Sequence, residues 1–234
     1  MKIFFSIFLS ILSFTVDAQK NDTVFLVRNQ NKKDGYYHKI YIDYNRNSKY
    51  YHWINNFGFD YNNEFHFDRD GYKEALQLLK GEDKRPLKEN NIKGIPKQWC
   101  LLNQYKNKYY VYVPSDGGAN YRINFTDTTM IEYGVESPEP SAILSFENIK
   151  LDVYQIKRKE YHGKVSTFTI HVIDRDKGIV IFENLFNYKP NRYILMVDAS
   201  RIKEYPIIVN YCAESRMYEL EFQKIDFKKL NTKK

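Results

Sequence analysis

Three histidines, His38, His52 and His66, stand fourteen residues apart, each directly behind an aromatic residue: Tyr37, Tyr51 and Phe65. Three imidazoles are a common ligand set for a transition metal. The same spacing is that of a strand-turn repeat. Register separates the two readings. A hairpin centred on Arg46–Asn47 sets His38 opposite Asn55 and His52 opposite Tyr41, on opposite sheet faces. Centring it on Arg46 puts His38 against Ile54 and His52 against Ile40, on one face but two residues apart. Neither register converges three rings, so strand histidines and no metal site are expected. Two D-x-D stretches, Asp174-Arg175-Asp176-Lys177-Gly178 and Asp68-Arg69-Asp70-Gly71, share the opening of a calcium loop. A calcium loop needs glycine at position six and Glu at twelve. The first stretch has glycine at five and Leu185 at twelve, and the second has glycine at four. Both read as turns.

Other chemistry leaves little trace. The chain has no G-x-S-x-G, no H-E-x-x-H and no phosphate-cradling glycine loop. Paired carboxylates for glycoside hydrolysis are set by space rather than spacing, and the 29 acidic residues single out no pair. No catalytic residue and no cofactor is therefore assigned. Cys100 lies in the apolar Trp99-Cys100-Leu101-Leu102, and Cys212 closes the run Ile207-Ile208-Val209-Asn210-Tyr211. They are a disulfide candidate, whose long loop corresponds to about 4–5 kcal/mol by loop entropy. Two buried free thiols are the equal alternative. Neither has a His, Lys or Arg as its immediate neighbour, which argues against a Cys-His nucleophile unless folding supplies one. The candidate binding residues are tyrosines: Tyr105, Tyr109, Tyr110 and Tyr112 among lysines, then Tyr121 beside Arg122. Exposed tyrosines stack on sugar rings. The competing reading makes one face core and the other a solvated Tyr/Lys face.

These residues sit in a chain dense with strand signals. In Val165–Glu183, Phe168, Ile170 and Val172 alternate with Thr167, Thr169 and His171, and the turn Asp174–Gly178 leads into Ile179–Glu183. Gly178 supplies the positive φ of a bulged hairpin. Further strands are expected at 23–28, 36–44, 50–59, 64–67, 99–104, 108–113, 120–126, 129–133, 142–147, 150–158, 192–198, 205–210 and 217–225. One amphipathic helix is expected over 71–80, capped by Asp70, with Tyr72, Ala75, Leu76 and Leu79 on one face. Residues 81–97, with Gly81, Pro86, Gly94 and Pro96, read as a long loop.

The fold class is thus all-β, predominantly antiparallel: a lipocalin-like barrel or a β-sandwich, with one short helix near 71–80. Short connections favour the barrel. This is a likeness of architecture only, because the Gly-x-Trp motif usual near the first lipocalin strand is missing.

Met1-Lys2 precedes an apolar run ending at Val16, and Val16-Asp17-Ala18 offers small residues for cleavage before Gln19. The run is shorter than the ~20 residues of a membrane span. Residues 1–18 are read as a bacterial export signal, giving a periplasmic or extracellular protein that does not span a membrane. Residues 19–97 are read as N-terminal strands plus a helix and a long loop, a candidate subdomain, 98–227 as the main β domain and 228–234 as a solvated basic tail. The 21 Tyr and 16 Phe follow in part from AT-rich codons, and the formal charge of +7 is dispersed. Export disfavours nucleic acid. The sequence points to a binding or interaction protein, holding an apolar or amphipathic small ligand in a barrel-type cavity. Glycan binding through tyrosines, a protein partner and a hydrolase without a recognisable motif are the alternatives.

Overall fold

The hairpin read from Val165–Glu183 lies inside an eight-stranded closed barrel. The computed structural model describes residues 23–31, 36–56, 69–81, 86–115, 120–134, 138–186, 192–212 and 219–231. The leader over 1–18, the strand at 64–67 with His66, and the tail end 232–234 lie outside them. In chain order the first strands are β1 (Thr23–Asn31), β2 (Tyr36–Asp43), β3 (Gln98–Leu101), β4 (Asn103–Tyr105) and β5 (Lys108–Val113). There follow β6 (Arg122–Phe125), β7 (Thr129–Tyr133), β8 (Glu139–Lys150), β9 (Val153–Glu160), β10 (Val165–Asp174), β11 (Ile179–Glu183), β12 (Tyr193–Asp198) and β13 (Ile207–Cys212). The helices are α1 (Tyr50–Ile54), α2 (Arg69–Lys80) and α3 (Phe227–Asn231), with a 3₁₀ helix at Ala199–Glu204.

Strands β6 to β12 form an antiparallel meander, and β3 closes it between β12 and β6. The barrel and the helix near 71–80 are as expected, but the helix begins at Arg69, which puts Asp70 inside its first turn instead of at the cap. Period-two alternation decides what faces inward. Trp99, Ile123, Phe125, Met130, Ile156, Phe168, Ile170, Phe182 and Met196 form one buried cluster that fills the lumen. Phe182 stacks between Phe125 at 6.4 Å and Phe168 at 5.8 Å, with the Trp99 ring edge-on at 6.0 Å. The 86–97 loop closes one barrel end by burying Ile92 and Ile95. Tyr154 donates to Gly94 O at 3.2 Å, and Asn90 Nδ2 to Ile143 O at 2.9 Å, which hold the loop down.

A second sheet, in the order β1-β2-β13-β5-β4, packs on the barrel wall. Its β13–β5 pair is parallel, an exception in an otherwise antiparallel protein. The reason for the second layer is written in β11 and β12. Val180, Phe182, Ile194 and Met196 face the lumen, and the alternating Ile179, Ile181, Leu195 and Val197 point outward and are equally apolar. They meet Tyr41, Val111, Val113, Ile207 and Val209 of the sheet. At Gly178, φ is 63°, and an added Cβ would lie 2.8 Å from Arg201 Cδ and 2.9 Å from Asp198 Cβ. Only glycine fits that turn.

Four local expectations give way. Residues 50–54 form α1 instead of a returning strand, because Ser48 Oγ accepts from the Tyr50 N–H and Tyr51 and Ile54, three apart, bury one helical face. Tyr51 Oη fixes that face by donating to Tyr205 O at 2.6 Å. The 99–104 strand is broken at Leu102, which is buried between the layers, so β4 leaves the barrel and turns back through Lys106 and Asn107, both at positive φ. Residues 219–226 carry no strand. They cover the outer face of the second sheet with Leu220 and Phe222, and α3 then buries Leu230 where a solvated tail was expected.

Because Phe182 anchors the lumen, Phe182→Ala should destabilise the fold by about 3–5 kcal/mol. Urea unfolding read by tryptophan fluorescence measures this, with Trp99 as an internal reporter of the cavity.

Candidate functional site

Opposite the plugged end, the lumen turns polar. Glu132 of β7, Arg158 and Glu160 of β9, Ser166 of β10 and Tyr121 before β6 fall on the inward register as the strands approach the rim. Arg158 is buried there, and every arm of its guanidinium is engaged. Nη1 donates to Glu132 Oε2, Nη2 to Leu185 O at 3.1 Å, and Nε to Ser166 Oγ at 3.2 Å. Glu160 Oε1 lies 3.8 Å from Nη2, and the guanidinium sits 5.6 Å from the Phe168 ring centre. Tyr121 Oη donates to the other oxygen of Glu132. Burial, then the neighbouring Glu132 charge, pushes the Tyr121 hydroxyl well above its usual range, which keeps it protonated as a donor.

Beyond this network a recess of about 240 Å³ is lined by Glu132, Glu139, Arg158, Glu160 and His162, the last 2.8 Å from Glu160 Oε2. Its chemistry is constrained. Glu132 accepts from Tyr121 on one oxygen and Arg158 on the other, so it is a structural anchor and not a free base.

The larger opening lies beside it. Phe186 borders both, and its ring meets Tyr121 edge-on at 5.2 Å. This rim cleft holds about 630 Å³ between the ends of β3 and β12, strand β4 and the 223–225 segment. Leu101, Phe186, Ile194, Leu195 and Ile225 give it an apolar wall, and Arg192, Lys224 and Asn103 supply polar groups. Arg192 Nη2 lies 2.6 Å from Glu183 Oε1, and Glu183 Oε2 lies 2.8 Å from His171 Nε2. Lys224 has no ion pair among the described residues. Asn103 Nδ2 is buried without a hydrogen-bond partner among them, which is costly unless a ligand or water oxygen accepts.

The five tyrosines do not form one row. Tyr110 is buried against Ile40, Ile42 and Ile208, and Tyr105 packs edge-on against it at 6.4 Å. Tyr112 lies under Phe222 at 4.9 Å, with its hydroxyl on Glu219. Tyr109 faces the opposite way, into the layer between sheet and barrel. Tyr121 alone borders the cleft. The disulfide candidate is unformed: Cys100 and Cys212 are both free thiols. Cys100 is sealed between the layers with Sγ 3.5 Å from Ile54 O, and burial pushes its thiol up to about 12. Cys212 ends β13 on the far sheet.

His52 is exposed on α1 while His38 is buried in β2. Among the described residues no three His, Cys, Asp or Glu side chains are grouped to hold a metal ion. In the Asp174 turn, the carboxylate is taken by the Lys177 ammonium at 2.7 Å and the Lys177 N–H at 3.0 Å. An S-x-x-K spacing overlooked in the sequence, Ser200–Lys203, lies in the 3₁₀ helix, where the Ser200 hydroxyl bonds Asp198 as part of the cap. Arg158, Asn103 and Lys224 were missed from sequence. The available signal was Arg158 itself, a cation at an inward position of the alternating Tyr154-Ile156-Arg158.

Comparison with protein-family models, with curated proteins and with solved structures returned no match.

Arg158→Met should destabilise by about 3–5 kcal/mol because it strands the Glu132 carboxylate. Adding Glu132→Gln should recover most of that loss, as a double-mutant cycle in urea will show. Partial burial alone would raise the Glu183 carboxyl, but hydrogen bonds from Arg192 and His171 outweigh it and hold it below its ordinary 4.5. The ionised form therefore stabilises the fold above that value, and its contribution disappears as pH falls through the lower folded one. Glu183→Gln should narrow the difference in Tm between about pH 6 and about pH 3.

Proposed function

We propose that this chain is a binding protein whose rim cleft takes an amphipathic small molecule with an acidic head. The observation that carries the reading is the cleft itself. Its volume of about 630 Å³ is within the ~300–1,000 Å³ of small-molecule sites, which are mostly apolar with a few placed polar groups. An apolar body would lie along Leu101, Phe186, Ile194 and Ile225, and the acidic group would meet Lys224 and the Arg192 edge. One ligand oxygen would accept from Asn103 Nδ2. The lumen is not the proposed site, since aromatic side chains fill it. An exported location belongs to the same proposal and rests on the leader-like Met1–Ala18.

The test is titration with cis-parinaric acid and with its uncharged methyl ester, followed by fluorescence. Saturable binding of the acid at one site is expected, weakened about tenfold by Lys224→Glu and lost in Leu101→Trp, which fills the cleft. The ester should be indifferent to Lys224→Glu. Absence of saturable binding, or binding untouched by Leu101→Trp, would overturn the proposal.

A further inference from the structure

Strands β2 and β13 assemble three groups that are far apart in sequence. In their antiparallel register Cys212 stands directly opposite His38. Side chains so placed share a face, with Cβ atoms about 4.5–5.5 Å apart. His38 is only 5% exposed, and its Nε2 lies 2.8 Å from Asn210 Oδ1 on the same face.

The surrounding bonds fix which nitrogen carries the proton. Asn210 Nδ2 lies 3.0 Å from Glu219 Oε2 and 3.1 Å from Tyr112 Oη. A carboxylate only accepts, and the Tyr112 hydroxyl already donates to Glu219. Both groups therefore need a donor from Asn210, so that atom is the amide nitrogen and Oδ1 is the one facing His38. An amide oxygen only accepts, so His38 Nε2 holds the hydrogen and Nδ1 holds the lone pair. Nδ1 is buried and has no hydrogen-bond partner among the described residues. With Nε2 committed to Asn210, Nδ1 is the ring nitrogen nearer the His38 backbone, on the sheet face that Cys212 shares. Glu219 is itself held by Ser115, whose Oγ donates at 2.8 Å and N–H at 3.0 Å. The chain Ser115–Glu219–Asn210–His38 thus leaves one unsatisfied base next to one half-buried thiol.

We propose that Cys212 is a nucleophilic thiol, with His38 Nδ1 as its general base and Asn210 as the positioning residue, and that its substrate is a disulfide. The three groups include no donor for a carbonyl oxyanion, and attack at sulfur develops none. In the step, the Sγ proton passes to Nδ1 and Sγ attacks one sulfur of the substrate disulfide. A new S–S bond forms as the old one breaks, and the departing thiolate takes the proton from His38. Cys212 is oxidised to the mixed disulfide and the departing half is reduced to a thiol, so the substrate is the only oxidant required. No hydrogen bond joins Cys212 to His38 in this resting structure. Such contacts commonly tighten only with substrate bound.

The experiment is reaction of the native protein with 5,5′-dithiobis(2-nitrobenzoate), following thionitrobenzoate release and mapping the labelled peptide by mass spectrometry. Cys212 should react in a fast phase and the sealed Cys100 in a slow one. Per thiol, Cys212 should react faster in the fold than in denaturant, although the fold half-buries it. His38→Gln, checked for folding by near-UV circular dichroism, should slow that phase by at least about tenfold, the lower end of general-base assistance being nearer a hundredfold. Long-range ¹⁵N–¹H correlation on the wild type should show His38 as the Nε2–H tautomer. Slower reaction in the fold than in denaturant, an unchanged rate in His38→Gln, or an Nδ1–H tautomer would each overturn the proposal.

Discussion

Strands β11 and β12 have no polar face. Ile179, Ile181, Leu195 and Val197 on the outside of the barrel are as apolar as Val180, Phe182, Ile194 and Met196 within it. A barrel wall of this kind exposed to water would forgo burial worth roughly 1.5–3 kcal/mol for each large side chain. It must be covered, and the covering layer is the second sheet. Everything distinctive about the molecule follows from that cover. The chain leaves the barrel at Leu102, returns through β5, and later places β13 between β2 and β5. The 219–226 segment then covers the outer face of that sheet.

The two ends of the barrel are closed by different physics. At one end, Ile92 and Ile95 plug the lumen and backbone carbonyls take the nearby polar groups. At the other, a guanidinium is buried and all of its arms are engaged, by Glu132, Ser166 and Leu185 O. The apolar plug tolerates imprecise packing, whereas a buried charge tolerates none of its partners being lost. The rim beside Arg158 is consequently ordered around fixed polar contacts. The cleft opens there, where β4 has departed and the barrel wall lacks a full cover.

The outer sheet carries a second polar system with a different character. Glu219, Tyr112, Asn210 and His38 lie on a face otherwise filled by Ile40, Ile42, Ile208, Leu220 and Phe222. In such surroundings each donor must find an acceptor, and the orientation of every group is set by its neighbour. That constraint turns a row of side chains into a statement about a proton, and leaves one ring nitrogen without a partner among the described residues.

The sequence by itself determined the strands and their faces. The alternation Phe168-Ile170-Val172, the Gly178 turn and the apolar stripe of α2 are local signals, and backbone geometry translates them directly into a bulged hairpin and an amphipathic helix. The antiparallel β class was legible for the same reason, and short connections favoured a barrel over a sandwich, a choice that tertiary structure settled. Tertiary structure decided what local periodicity does not encode. The Tyr50–Phe59 stretch was read as a returning strand, yet the packed layers bury Tyr51 and Ile54 on one helical face. The tyrosines chosen as a ligand platform were assigned to burial or to hydrogen bonds by tertiary contacts, Tyr112 for one by Glu219 and Phe222 from more than a hundred residues later. His38 and Cys212, 174 positions apart, became neighbours because strand pairing acts through space. The rim cleft exists only where three distant segments stop short of one another.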